Sequence, residues 1–204
     1  MDNIVVYCGS NLGATPAYAE AARELGSIMA GRGRRLVYGG GRIGLMGTLA
    51  DAVLQGGGEV IGVIPTFLRE KEVAHQGLTE LIETADMPAR KNKMIELGDA
   101  FIALAGGIGT FEELFEVLSL AQLKQHRKPI GLLNTAGFYD PLLALLEQTA
   151  QQGFMPAANL SLLCVAEKPA DLLDKLADYR PVDAPKWIQP AWLNGQAANA
   201  KALP

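Results

Sequence analysis

Seven short apolar runs alternate with longer helical patterns along almost the whole chain, and this alternation constrains the fold more than any other feature. The runs are 4–8, 35–38, 60–64, 80–84, 100–104, 130–133 and 162–165. Several are apolar throughout rather than at every second position, the pattern of strands covered on both faces. Helix signals fill the gaps. Pro16 stands at a first helical position, with Gly33 just past the end of that helix. Asp140-Pro141 opens another helix that Gly153 closes, and a last helical pattern runs over 168–179. The alternation predicts an α/β fold: a Rossmann-like, doubly wound, mostly parallel sheet of about seven strands with helices on both faces. Residues 1–180 form one nucleotide-binding domain in this reading. Residues 181–204 hold four prolines and several alanines without periodicity, and are expected to form a peripheral or disordered tail, with Trp187, Ile188 and Trp192 available to dock on a surface.

In doubly wound sheets ligands bind beyond the carboxyl ends of the strands, so the loops there matter most. Three are rich in glycine: Cys8-Gly9-Ser10-Asn11-Leu12-Gly13, Tyr38-Gly39-Gly40-Gly41-Arg42-Ile43-Gly44-Leu45-Met46-Gly47 and Ala105-Gly106-Gly107-Ile108-Gly109-Thr110. Glycine admits a ligand close to backbone N–H groups, and a helix N-terminus behind the loop adds partial positive charge. One such loop is often only a tight turn; three at one sheet edge point to phosphate binding. Gly39-x-Gly41-x-x-Gly44 matches the dinucleotide fingerprint, but the next strand ends Ile64-Pro65-Thr66 without the carboxylate that would bind ribose, which disfavours an NAD site. No Lys-Ser or Lys-Thr follows, so it is not a Walker loop.

Two charged segments flank the third loop. Arg90, Lys91 and Lys93 lie near a helix start, where the macrodipole does not favour cations, so they form either a solvated face or an anion-facing one. Thr110 followed by Glu113 has capping-box spacing, yet Glu113 also stands at the mouth of the loop; spacing leaves a cap and a functional carboxylate equally open.

The net charge of −4 argues against a nucleic-acid polymer as partner. The two cysteines, Cys8 and Cys164, both in apolar runs, make neither a disulfide framework nor a metal cluster, and fit a reducing cytoplasm. His75 and His126 are isolated, so no metal site is expected. No run approaches a membrane span and the N-terminus has no leader pattern.

The third loop with Phe111-Glu112-Glu113, preceded by Met87-Pro88-Ala89-Arg90-Lys91, resembles the LOG family of nucleoside 5'-monophosphate phosphoribohydrolases, long mislabelled as lysine decarboxylases. That family's hallmark is Pro-Gly-Gly-x-Gly-Thr-x-x-Glu after a Met-x-x-Arg-Lys segment, and the resemblance covers roughly 3–179. Two positions depart: Ala105 replaces the motif's proline, and Pro88 stands where relatives often have histidine. The resemblance implies a hydrolase that cleaves the N-glycosidic bond of AMP or a cytokinin riboside 5'-monophosphate to free base and ribose 5-phosphate, with no cofactor. It implies Arg90 and Glu113 as the catalytic pair, and Ser10, Gly41, Lys91, Gly106, Gly107, Gly109 and Thr110 as substrate-binding. It also implies a homodimer or higher homo-oligomer. Two other readings compete. One is a non-catalytic nucleotide or cofactor carrier of the same fold, such as the molybdenum-cofactor carriers. The other is a pyridoxal-phosphate decarboxylase using Lys91 or Lys93, for which the residues show no supporting pattern.

Overall fold

The computed structural model describes residues 1–69 and 74–183. The elements run β1 (Asn3–Tyr7), α1 (Ala17–Gly31), β2 (Arg35–Tyr38), α2 (Gly44–Gln55), β3 (Val60–Pro65), α3 (Thr66–Arg69), β4 (Glu80–Thr84) and α4 (Met87–Leu97). They continue with β5 (Ala100–Ala103), α5 (Ile108–Gln122), β6 (Ile130–Leu133), α6 (Asp140–Gln151), β7 (Leu163–Ala166) and α7 (Pro169–Asp178). All seven strands are parallel, in the order β4-β3-β2-β1-β5-β6-β7. The expected α/β sheet is therefore present. The chain winds outward from β1 in one direction, then returns to β5 and winds the other way. The switch point lies between β1 and β5, and there the loops that follow these strands part to leave a crevice.

Side chains of a strand alternate between its two faces, and the core divides accordingly. Ile4 and Val6 face a layer with Ala22, Leu25, Met29, Leu49 and Val53 of α1 and α2, and Leu172 and Leu176 of α7. Val5 and Tyr7 face the other layer, with Met94, Leu114 and Val117 of α4 and α5. At the α1–α2 crossing, a Cβ on Gly26 would lie 2.8 Å from that of Ala52, so only glycine permits this approach. The edge strand β4 is only partly covered, unlike the central runs.

Several boundaries differ from the sequence reading by one residue. Cys8 and Leu104 fall just outside β1 and β5, and the last strand is shifted to Leu163–Ala166 because Leu162 completes a 3-10 turn. Pro16 caps α1 rather than sitting inside it. Cys164, expected to be buried, is half-buried on the edge strand β7, and both thiols are unpaired. Of the expected tail only 181–183 are described, with Asp183 paired to Lys124; Trp187, Ile188 and Trp192 lie outside the described residues. Among the described residues no helix is long and apolar enough to cross a membrane.

Candidate active site

The crevice at the switch point holds a cavity of about 240 Å³, lined by Cys8, Gly9 and Ser10 after β1, Met46 of α2, Met87 and Arg90 of α4, and Gly107–Thr110, Glu112 and Glu113 of the third loop and α5. Backbone bonds lock the three loops together. Gly9 donates to the Ala105 carbonyl (3.1 Å) and Leu45 donates to the Gly9 carbonyl (3.1 Å). Ala105 supplies this acceptor through its main-chain carbonyl, which every residue type carries. Behind the third loop, the buried Tyr139 hydroxyl donates to the Leu104 carbonyl (2.6 Å), and Asn134 Oδ1 accepts from Tyr139 N–H (2.7 Å).

The third loop leads straight into α5, whose N-cap is Gly107, with no side-chain capping bond. The helix thus starts before Thr110, and the capping-box reading of Thr110 and Glu113 fails. Thr110 is instead the third helical residue, buried beneath Gly106, where a Cβ would fall 2.1 Å from Thr110 Oγ1. The first residues of α5 line the cavity and their N–H groups have no side-chain cap, an arrangement suited to an anion. A Cβ on Gly107 or Gly109 would meet nothing within 4 Å, so packing does not require glycine there. The space above both is open.

The second loop is different. A Cβ on Gly44 would fall 2.2 Å from the Ser10 carbonyl carbon, and one on Gly47 1.9 Å from the Arg42 oxygen. Gly44 and Gly47 thus serve close contacts within the protein. Gly41 is buried and bridges to Ala74, while His75 N–H donates to the Gly40 carbonyl (3.0 Å) and its ring bonds Asp51 (2.9 Å).

Asp86 caps α4 by accepting from Ala89 N–H (2.8 Å), and Pro88 fits the first turn. One turn in, Arg90 is buried, which removes the solvated-face reading for this residue. Its guanidinium crosses Gly39, where a Cβ would lie 2.2 Å from Nη2. Nη2 stands 3.5 Å from Glu113 Oε1, Nη1 stands 3.6 Å from the Met87 sulfur, and the buried Nε has no hydrogen-bond partner among the described residues. Glu113 is also buried. Burial, with the Glu113 charge second, raises the Cys8 thiol; burial and then Glu113 raise the Tyr7 hydroxyl well above its ordinary range. Both stay protonated near neutrality, so Cys8 lines the cavity without being an activated nucleophile.

Of the residues expected at the site, Ser10, Arg90, Gly107, Gly109, Thr110 and Glu113 line the cavity together. Gly41, Lys91 and Gly106 are not in its lining. Lys91 Nζ is engaged by Glu112 and Glu116, and Lys93 Nζ by Glu96 (3.2 Å), so neither lysine presents its amine to the cavity. Sequence reasoning did not single out Met46, Ile108 or Glu112 as lining residues; Met46 and Ile108 lie inside the glycine-rich segments, and Glu112 adjoins Glu113. The arrangement can hold an anion at the start of α5 and set a buried carboxylate and guanidinium beside whatever that anion carries.

A family described as "possible lysine decarboxylase" matches residues 46–176. The chain is similar to a cytokinin riboside 5'-monophosphate phosphoribohydrolase of Arabidopsis thaliana, 46% identical over 87% of this chain and 84% of that one. An enzyme of the same name from Oryza sativa subsp. japonica is 47% identical over 87% of this chain and 74% of its own. Among solved structures, the molybdenum cofactor binding protein of Rippkaea orientalis superposes with a TM-score of 0.63 over 87% of this chain and 97% of that one, at 24% identity. The carrier protein of Chlamydomonas reinhardtii does so with a TM-score of 0.65 over 87% and 96%, at 22% identity. At that identity the two superpositions speak for the fold alone.

Proposed function

This chain belongs to the LOG family of phosphoribohydrolases, and from that premise we propose that it hydrolyses the N-glycosidic bond of nucleoside 5'-monophosphates, AMP or a cytokinin riboside 5'-monophosphate, to free base and ribose 5-phosphate. The observation that carries this reading is the buried Arg90–Glu113 pair in the same cavity as the uncapped start of α5. A carrier needs the anion cradle. It does not need a buried ion pair whose guanidinium Nε has no hydrogen-bond partner among the described residues, and buried, underpartnered donors of this kind are concentrated at reaction sites.

The 5'-phosphate binds the N–H groups of Gly107, Gly109 and Thr110, with Ser10 across the cavity. The C1'–N bond breaks with its electron pair passing to the base, which leaves an oxocarbenium-like ribose. Glu113 faces that cation, stabilises it and orients the water. Water adds its oxygen to C1', and its two protons end on the sugar hydroxyl's oxygen and on the departing base, so that one water is consumed per bond. Arg90 faces Glu113 and fixes the substrate for attack. The decarboxylase reading finds little support, because both candidate lysines are engaged by carboxylates.

The protein acts as a homodimer or higher homo-oligomer in this reading. The support is an apolar groove of about 340 Å³ between α5 and α6, bordered by the exposed Phe115, Leu145 and Phe154; patches of this kind are uncommon on monomers. Its two unpaired thiols suit a reducing cytoplasm.

The test is base release from AMP and from adenosine, side by side. AMP is expected to be cleaved far faster. Equal rates would sink the phosphate assignment, and an AMP solution that stays intact would leave the carrier.

A further inference from the structure

We propose that Lys91 does not hold substrate but neutralises Glu112, so that a carboxylate can line a cavity that receives a phosphate. The inference rests on the phosphate-binding reading above. Glu112 lines the cavity, and its side chain is about half exposed (49%). An unpaired carboxylate there stands one helical turn from the N–H groups that would hold the anion, since α5 rises only about 1.5 Å per residue. Like charges at that distance repel, and the low-dielectric wall strengthens the repulsion.

Lys91 answers that charge from the neighbouring helix. Its Nζ contacts Glu112 Oε1 and stands 3.3 Å from Glu116 Oε2, while the lysine side chain is only 16% exposed. Glu112 and Glu116 are four apart on α5 and would repel each other without a cation between them. The bond to Glu112, first among the causes, raises the lysine's pKa, so the ammonium stays charged. Consecutive residues of α4 thus meet consecutive residues of α5. Arg90 stands back from Glu113 at 3.5 Å, and Lys91 takes Glu112. The two carboxylates at the cavity thus face different cations, Glu113 the Arg90 guanidinium and Glu112 the Lys91 ammonium.

The two roles of Lys91 separate by rescue. Ribose 5-phosphate, which has no bond to cleave, is titrated calorimetrically into the wild type, Lys91→Met, Glu112→Gln, the double variant, and Lys93→Met as a control. Neutralisation predicts about tenfold weaker binding for Lys91→Met, the effect of roughly one unit of like charge near the ligand. It predicts recovery to within about twofold of wild type when Glu112→Gln is added. Glu112→Gln alone, which removes the carboxylate from the cavity and leaves Lys91 paired with Glu116, should bind as tightly as wild type or tighter, and this variant decides the matter even if Lys91→Met does not fold. Lys93→Met should bind as wild type. A double variant as weak as Lys91→Met, an unchanged Lys91→Met, or a weakened Glu112→Gln would each overturn the proposal. Wild-type protein that shows this pattern but releases no base from AMP would sink the hydrolase reading alone; wild type that does not bind ribose 5-phosphate would overturn both.

Discussion

Arg90 Nη2 and Glu113 Oε1 stand 3.5 Å apart, both side chains buried, close enough for an ion pair and too far for a good hydrogen bond. The pair is therefore electrostatically satisfied but geometrically unfinished. Removing either charge has two consequences, one for stability and one for chemistry.

Glu113→Gln removes the negative charge while keeping the shape. Because Glu113 is not a helix cap, the substitution is not thermally silent. It leaves the Arg90 cation buried without its counter-charge, at a cost of about 1–3 kcal/mol. Turnover of AMP should fall about 100-fold or more, since an amide neither balances an oxocarbenium ion nor accepts a proton from water. Bound ribose 5-phosphate should recover part of the lost melting temperature, because its anion offers Arg90 a new partner. Melting curves with and without this ligand, beside AMP turnover, check both halves. Normal turnover would remove Glu113 from the chemistry.

Arg90→Lys tests the shape of the cation. The guanidinium lies across Gly39 and reaches Glu113 and Met87 with different nitrogens. A lysine ammonium is a single point on a flexible stem and cannot span these positions. AMP cleavage should fall at least about tenfold with the fold retained. Wild-type kcat/KM in Arg90→Lys would show that only the charge matters.

Acid should release a different part of the molecule. Asp99 Oδ2 accepts from Asp2 N–H (2.7 Å) and Asn3 N–H (3.0 Å), tying the entry of β1 to the turn before β5. The Asn3 bond first, and then the Asp2 bond, hold its carboxyl below the ordinary range. With the folded pKa depressed, the contribution to stability is complete above the unfolded value of about 3.9 and is lost as pH falls through the folded one. Asp99→Asn should melt below wild type at neutral pH, with the gap closing as pH falls below the ordinary carboxylate range. A gap unchanged at acid pH would show that the charge of Asp99 contributes nothing.

The strands and the crevice that holds the candidate site were legible because each depends on local pattern. Val5, Val37 and Phe101 sit in short apolar runs, and the loops after β1 and β5 meet at the switch point that strand order creates. The start of α5 was not legible. Thr110 is a good capping residue by type, but Gly107 takes the cap and leaves the first N–H groups without a side-chain partner. Nor did the sequence separate the Arg90 neighbourhood from that of Lys91. Two adjacent cations look alike until the register of α4 against α5 gives one to Glu113 and the other to Glu112 and Glu116.

The glycine loops looked alike in sequence and differ in what fills the space above them. Gly47 lies in α2, where a methyl group would strike the Arg42 carbonyl oxygen at 1.9 Å. Backbone would have to move, and with it the second loop, which is bonded to Gly9 through Leu45. Gly47→Ala should therefore lose several kcal/mol of stability, in the range of severe overpacking. Gly109 lies in the first turn of α5, and a methyl group there meets nothing within 4 Å. Alanine also favours helix over glycine by about 1 kcal/mol, so Gly109→Ala should melt at or slightly above wild type. Its cost falls on the ligand, since the new methyl group occupies space against the N–H groups that would hold the 5'-phosphate. KM for AMP should rise at least about tenfold, an effect of roughly 1.4 kcal/mol on binding. Melting temperature and KM measured on both variants separate a glycine kept for packing from one kept for the substrate. A Gly109→Ala protein with wild-type KM would move the phosphate away from the start of α5.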